Sequence, residues 1–501
     1  MSLASTDTGW TTRIGLEVHV RLATRSKLFC ACPNRFETQP NVHICPVCTG
    51  QPGSLPALGK GAVLLAMRAA TLFGFTIAPK SRFDRKHYFY PDLPKGYQIT
   101  QEAHPLGRNG SLEIETPGRR LAVPLRRIHI EEDAGRSVHT DTWTQVDCNR
   151  AGTPLVEIVT DPVLESAEEV AAFLRRLREE LRFAGVSDGD MDKGSMRADV
   201  NVSVHRVEAG QDRGGVRVEI KNLNSIRSAT DAVAFEIERQ VQTYESRPAG
   251  EAFPGGAETR RFVPQTTSKP AHTVLLRRKE GALDYRFLED PDLAPLLLNQ
   301  TEIEAVRTSL PAGPLALRDR WRLAFDLSEY DTEVLTQTPQ RAAYFQAVVA
   351  CFAHPDPKLA KAAANWITND LLATEGGLAI VQPSQVAELV QMLSQDELSH
   401  KGARSLLGAL VQSISAGRIP SLRNLSEELG LVLSKSPADL DAWAREAIAA
   451  RPDAVDAWRA GRTQAVDALV GAAMAASRGK ASPGHLRGVL LAALADLGQL
   501  D

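Results

Sequence analysis

The chain reads as an α+β protein, with a sheet-forming part over residues 1–295 followed by helices to its end. Three observations carry this. Five short strand-like segments between residues 13 and 222 each carry acidic or histidine side chains on one pleat face, cleanly alternating with apolar ones in residues 13–22, the repeat of a strand that buries one face. One amphipathic helix with its own start and stop signals lies among them. From about residue 296 the alternation gives way to Ala/Leu-rich stretches of helical periodicity.

Taken in order, residues 13–22 (RIGLEVHVRL) set Ile14, Leu16, Val18, Val20 and Leu22 on one face and Glu17, His19 and Arg21 on the other. In RRIHIEED, His129 and Glu131 alternate with Ile128 and Ile130, and Glu132 and Asp133 close the segment. LVEIV carries Glu157. DVNVSV sets Asp199, Asn201 and Ser203 against Val200, Val202 and Val204, and VRVEIKN sets Glu219 and Lys221 against Val216, Val218 and Ile220. The helix starts at Ser166, which forms a capping box with Glu169, and stops near Gly185. Val170, Phe173, Leu174, Leu177 and Leu181 share its apolar stripe, and its arginines fall largely on the opposite, solvent side. Prolines and glycines near 311–314, 355–357 and 417–420 divide the later helices into a helical domain at 296–407 and a tail at 408–501. The tail is charge-balanced and ends in a basic cluster, Arg478, Lys480, His485 and Arg487.

The polar strand face is dominated by carboxylates with two histidines. Like charges held that close need a cation or a proton between them, which points to metal-assisted phosphate chemistry. Composition sets the frame. A chain of 501 residues makes about two to four domains. A net charge of −3 excludes a globally basic nucleic-acid binder, so any such ligand meets a local patch. No apolar run is long enough to span a membrane. The first residues have neither a basic nor an apolar leader region, so the cytoplasm is the expected compartment.

Cys30 and Cys32, then Cys45 and Cys48, have the paired spacing of a closed, four-thiolate zinc site of structural type. An iron–sulfur cluster is the less favoured occupant. Other motifs fail. GSLPALGK (53–60) lacks the spacing and the hydroxyl of a phosphate loop. DGDMDKGSMRAD (188–199) resembles a calcium loop but has Lys193 where glycine is needed and Asp199 where glutamate is. No nucleophile constellation for releasing ammonia from an amide is present. Residues 82–101 interleave Arg82, Arg85, Lys86 and Lys95 with Phe83, Tyr88, Phe89, Tyr90 and Tyr97, a composition suited to a nucleotide or an RNA end, or to a turn-rich surface loop.

IGLEVHVRL, FDRKHYFYPDLPKGYQITQ, RIHIEEDAGRSVH, DCNRAGTPLVEIVTDP, GSMRADVNVSV and EIKNLNS, in that order, closely resemble the B subunits of glutamyl/aspartyl-tRNA amidotransferases, the GatB family. KAAANWITNDLL and GKASPGHLRGVLL extend the likeness to the chain's end. The departure is TRRFVPQTTSKPAHTVLLRRKEGALDYRFLED (259–290), where the family carries a Gly-Trp-rich segment. The resemblance implies a glutamine-synthetase-like antiparallel cradle, an all-α helical domain and a small YqeY-like tail that holds tRNA. It implies that ATP phosphorylates the side-chain carboxyl of Glu-tRNA(Gln) or Asp-tRNA(Asn). Ammonia from a partner amidase, the A subunit, then displaces phosphate, and a small C subunit braces the pair. This suits a chain with no ammonia-releasing nucleophile. By the same resemblance His19, Glu132 and Glu157 match magnesium ligands, with Mn2+ a plausible substitute because histidine is an unusual magnesium donor. Glu17, Glu131 and Asp199 match neighbouring acidic residues. Arg150 and Arg197 are candidates for gripping phosphate or ester, and Lys86 and Tyr88 for lining the site near the acceptor end. Because Glu132 alternates onto the Ile130 face, the strand must end or bulge there.

A non-catalytic, zinc-bearing tRNA scaffold is the alternative, under which Glu157 is dispensable. An aminoacyl-tRNA synthetase is disfavoured by the absence of HIGH-type and KMSKS-type signatures. Which of the two tRNAs is the substrate is not legible.

Overall fold

The alternation of residues 13–22 becomes strand β1 (Thr11–Arg21) in a computed structural model that describes residues 9–208, 211–247, 256–267, 270–278, 285–354 and 356–498. Helix α1 (Lys60–Leu72) follows, then β2 (Thr76–Ile77), β3 (Lys80–Ser81), β4 (Asp84–His87) and β5 (Tyr97–Thr100). Two long strands come next, β6 (Gly107–Thr116) and β7 (Arg119–Glu132), then a hairpin of β8 (Arg136–His139) and β9 (Thr144–Asp147). Strand β10 (Pro154–Thr160) leads into α2 (Ala167–Phe183), and β11 (Met196–Glu208), β12 (Gln211–Gly214) and β13 (Val218–Leu223) into α3 (Ile226–Glu245). Strands β14 (Glu258–Val263), β15 (His272–Arg278), β16 (Leu288–Glu289) and β17 (Leu296–Leu297) precede α4 (Gln300–Ser309).

Ten of these strands form one sheet in the order β15-β14-β13-β11-β1-β10-β7-β6-β2, with β12 paired on β11. Its pairings are antiparallel except for the parallel pair β13–β14. The expected α+β, antiparallel architecture is therefore present. One face carries the core: Ile14, Leu16, Val18 and Val20 of β1, Ile128 and Ile130 of β7, and Val156 and Ile158 of β10 are buried in a single cluster with α1, α2 and α3. All five stripe residues of α2 are inaccessible to solvent, and each contributes about 1.5–3 kcal/mol by burial. Ser166 accepts from the Glu169 N–H, as its spacing predicts, but the Glu169 carboxylate accepts from the Glu165 N–H in place of closing the box on Ser166. Gly185, at φ +65°, ends the helix in the left-handed region.

The opposite, polar face is thereby left to carry chemistry. Where β6 stops pairing with β7 at Ile128, the small sheet β16-β4-β5 takes over the edge. The Gln101 side chain accepts from Ile130 N–H, and Gln98 donates to Glu132 O.

The chain divides into two units, Met1–Gly313 and Pro314–Asp501. The change of composition at residue 296 thus precedes the boundary, because Ile303 and Val306 of α4 bury into the first unit's core beside α1. Among its described residues the second unit is helical throughout, with a π-helical turn at Trp366–Leu371. Leu440, Leu469, Leu486, Leu490 and Leu494 form a separate buried cluster within it. Two stretches of the 259–290 segment, residues 268–269 and 279–284, lie outside the described residues, and the rest supplies most of β14, the edge strand β15 beside it and the short strand β16.

Candidate active site and thiolate centre

The strand register lines up a polar row across four strands. His129 of β7 faces Glu157 of β10, Glu157 faces His19 of β1, and His19 faces Arg197 of β11. Glu131, two residues along β7, reaches into the same row. His19 Nε2 lies 3.2 Å from Glu131 Oε1 and 3.3 Å from Glu157 Oε2. His129 Nε2 stands 3.6 Å from Glu131 Oε2 and 3.5 Å from Glu157 Oε2. One donor atom each from His19, Glu131 and Glu157 falls within 4.8 Å of the others. Burial favours the neutral acid at Glu157, yet the two histidines draw its pKa down to about 2. Burial likewise opposes charge on Glu131, and His129 and His19 hold it well below the usual carboxylate range. Burial would lower His19, but hydrogen bonds to the same two carboxylates hold it well above its ordinary value.

Glu132 stands apart from this row. Strand β7 ends at Glu132 without turning its carboxylate toward His19: alternation is kept, and the side chain lies on the Ile130 side. There it is ion-paired with Lys95 and accepts from the Ile99 N–H at 2.9 Å. The geometry brings Glu131, expected only as a neighbour, into the three-donor set in place of Glu132. Period two decides the face, and the sequence offers two adjacent glutamates between which composition cannot choose.

Arg150 and Arg197 converge, but on a protein carboxylate. Asp133 binds Arg197 Nη2 through both oxygens at 2.9 Å and is ion-paired with Arg150 Nε. Burial notwithstanding, the two guanidiniums hold Asp133 below its usual range. Sequence reasoning recorded Asp133 only as a strand end. Further along the same face, Glu17 lies opposite Asp199, and its pKa is raised by burial and by Glu157, Glu219 and Asp199. Lys221 bridges Asp199 at 2.9 Å and Glu219 at 2.8 Å, so this second carboxylate group is held by a fixed ammonium.

Lys86 and Tyr88 flank the row from the β4 side. Lys86 Nζ sits 4.8 Å from the Tyr285 ring centroid, and Tyr88 OH donates to Gln98 Oε1 at 3.3 Å. Burial, then the charges of Glu131, Asp133 and Glu132, push the Tyr88 phenol upward, which sets it beside the carboxylates. In the calcium-like loop Asp190 is spent on its own neighbours, accepting from Asp192 and Lys193 N–H.

The four paired cysteines come together, with one sulfur from each within 4.8 Å of the others, and all are free thiols. Cys45 N–H donates to Cys48 Sγ at 3.2 Å, the turn geometry that aims a Cys-x-x-Cys pair at one point. A residue the sequence did not signal completes the centre. Lys27, 1% exposed, places Nζ 3.4 Å from Cys48 Sγ and donates to His43 O and Cys148 O. Cys48 is drawn down to about 4 by its hydrogen bond with Cys30 and by Lys27, whereas burial pushes Cys32 up to about 11. One thiolate beside a buried ammonium suits a metal that takes four sulfurs. For the other centre, one imidazole and two carboxylates fit a divalent cation of the Mg2+ or Mn2+ kind.

A family model described as the GatB/GatE catalytic domain matches residues 12–304, and one described as a GatB domain matches residues 343–494. The B subunit of the aspartyl/glutamyl-tRNA(Asn/Gln) amidotransferase of Geobacter sulfurreducens is 42% identical over 492 residues, 95% of this chain and 98% of that protein. Those of Elusimicrobium minutum and Burkholderia ambifaria are each 40% identical. The matches cover 94% and 96% of this chain and 97% and 99% of those proteins, respectively.

Proposed function

The chain belongs to the GatB family of amidotransferase B subunits, and on that premise we infer that the polar sheet face of its first unit is where the amino-acid side chain of a misacylated tRNA is activated. The activity is that of a ligase: ATP-dependent amidation of Glu on tRNA(Gln), Asp on tRNA(Asn), or both. Ammonia comes from an amidase partner, the A subunit, with a small C subunit alongside. Cytoplasmic residence accords with the lack of any helix, among the described residues, long and apolar enough to cross a membrane.

The observation that carries the site assignment is the convergence of His19, Glu131 and Glu157 beside the Arg197–Asp133–Arg150 group. A substrate carboxylate is a poor electrophile until one oxygen carries a phosphoryl group and can leave as phosphate. That oxygen attacks the γ-phosphorus of ATP, ADP leaves, and an acyl phosphate results. Ammonia nitrogen then attacks the carbonyl carbon, the C–O bond to phosphate breaks, and nitrogen loses a proton. Both steps demand alignment and charge neutralisation more than covalent help. His19, Glu131 and Glu157 would hold Mg2+, or Mn2+ in its place, which supplies charge neutralisation between phosphates and the attacking carboxylate when bound. Arg197 and Arg150, fixed by Asp133, present their remaining N–H groups toward anionic oxygens. Glu17 and Asp199, tied to Lys221, keep the adjoining wall polar. Lys86 and Tyr88 would border the acceptor end. The Cys30, Cys32, Cys45, Cys48 centre would take zinc and hold the segment after β1 in shape.

The test uses the chain co-purified with its amidase partner, supplied with ATP, Mg2+, ammonium chloride and either Glu-tRNA(Gln) or Asp-tRNA(Asn). Amide should form without glutamine and fall by at least about 100-fold in Glu157→Ala, while tRNA binding persists. Unchanged amide formation in that variant would remove the acidic face from the chemistry, and tight tRNA binding without any amide would favour the scaffold alternative.

A further inference from the structure

His129 is not among the three converging donors, yet it is as deeply buried as Glu131: its side chain is 2% exposed where that of His19 is 24% exposed. Its Nδ1 is buried with no hydrogen-bond partner among the described residues. A buried polar atom left unpaired is destabilising, and an aliphatic side chain at this position would avoid that cost. The ring's only polar use is therefore at Nε2, which faces Glu157 Oε2 and Glu131 Oε2 at 3.5 and 3.6 Å. Those carboxylates meet His19 from the other side, through Glu157 Oε2 and Glu131 Oε1. Glu131 is braced once more by the Thr100 hydroxyl at 3.3 Å. Two buried carboxylates side by side repel each other, and a proton-bearing nitrogen behind them keeps both in place when nothing else does.

We propose that His129 is a positioning residue for the cation centre: its Nε2–H holds the carboxylates of Glu131 and Glu157 together from the buried side, so that their oxygens converge with His19 Nε2 on one divalent ion. This rests on the cation-site reading of the row, and it adds a residue that does not itself touch the ion.

Mn2+ is the probe, titrated into the full-length chain and followed by electron paramagnetic resonance. His129→Leu should weaken Mn2+ binding by about 10- to 100-fold, the usual cost of losing a group that orients metal ligands. His129→Asn, whose amide stops short of the Nε2 position, should weaken it likewise. His129→Gln, whose amide N–H reaches that position, should bind within about threefold of the parent. Nitrogen modulation of the Mn2+ echo should report one imidazole in the parent, survive in His129→Gln and vanish in His19→Ala. Equal Mn2+ affinity in the parent, Leu and Asn forms would overturn the proposal. So would a second coupled imidazole that disappears with His129, since that would make it a ligand. Should His129→Leu fail to fold, the Asn and Gln pair decides alone. A parent chain that takes up no Mn2+ would overturn both this role and the cation centre beneath it.

Discussion

At the scale of single residues, the informative groups are those whose charge has no water to fall back on. Asp133 is one: buried at the end of β7, it is ionised because Arg197 and Arg150 converge on it. Its folded-state pKa is lowered from an ordinary value of about 3.9. Its contribution to stability is thus complete above that value and is lost as pH falls through the lower folded-state pKa. Asp133→Asn is therefore expected to destabilise the first unit at pH 7 by about 3 kcal/mol, the cost of stripping buried charges of their partner. The gap should narrow toward pH 3, and melting curves at the two pH values check it. A constant gap would mean that the carboxylate's charge is not what holds the two guanidiniums. His19 and Glu157 were legible in the sequence as members of a polar strand face. The choice of Glu131 over Glu132 follows from the strand's own alternation, against the match the family resemblance implies; the pairing of Lys95 with Glu132 was not legible, because it depends on which strand lies alongside.

At the scale of elements, the loop between β1 and α1 shows how a site is held. Four cysteines at paired spacing announce a metal, and they do meet. What the spacing omits is Lys27, whose ammonium is enclosed between Cys48 Sγ and two backbone carbonyls. A four-thiolate zinc centre carries a net charge of about −2, and a buried cation at its edge offsets part of it. Purified chain should hold about one zinc, and Lys27→Met should release it to a chelator about tenfold faster, measured with a zinc-sensitive dye. Retention equal to the parent would make Lys27 a packing residue only. Helix α2 is the contrasting case, where capping residue, stripe and stop were all readable and all recur in the structure. Local signals suffice there because each is satisfied within one element.

At the scale of the whole molecule, the boundary between units is an outcome of packing. Composition turns helical at residue 296, but α4 buries Ile303 and Val306 against the first core. A chain ending at Gly313 should therefore remain soluble and bind Mn2+ with the affinity of the full chain. One ending at 295 should aggregate, because loss of α4 removes Ile303 and Val306 from the core and uncovers Met67 of α1. Sedimentation and Mn2+ titration of the two chains check this, and equal behaviour would move the boundary back to the composition change. By itself, the sequence determined the α+β order, which face of each strand is polar, the thiolate set and the family. These follow from local periodicity and from spacing along one chain. Only the tertiary structure decided that His129, Glu157, His19 and Arg197 stand in one row and that Asp133 gathers both arginines. It likewise decided that Lys27 lies under the cysteines. The pairings of β1 with β10 and β11 join residues more than a hundred positions apart, and no local pattern encodes which strand becomes the neighbour.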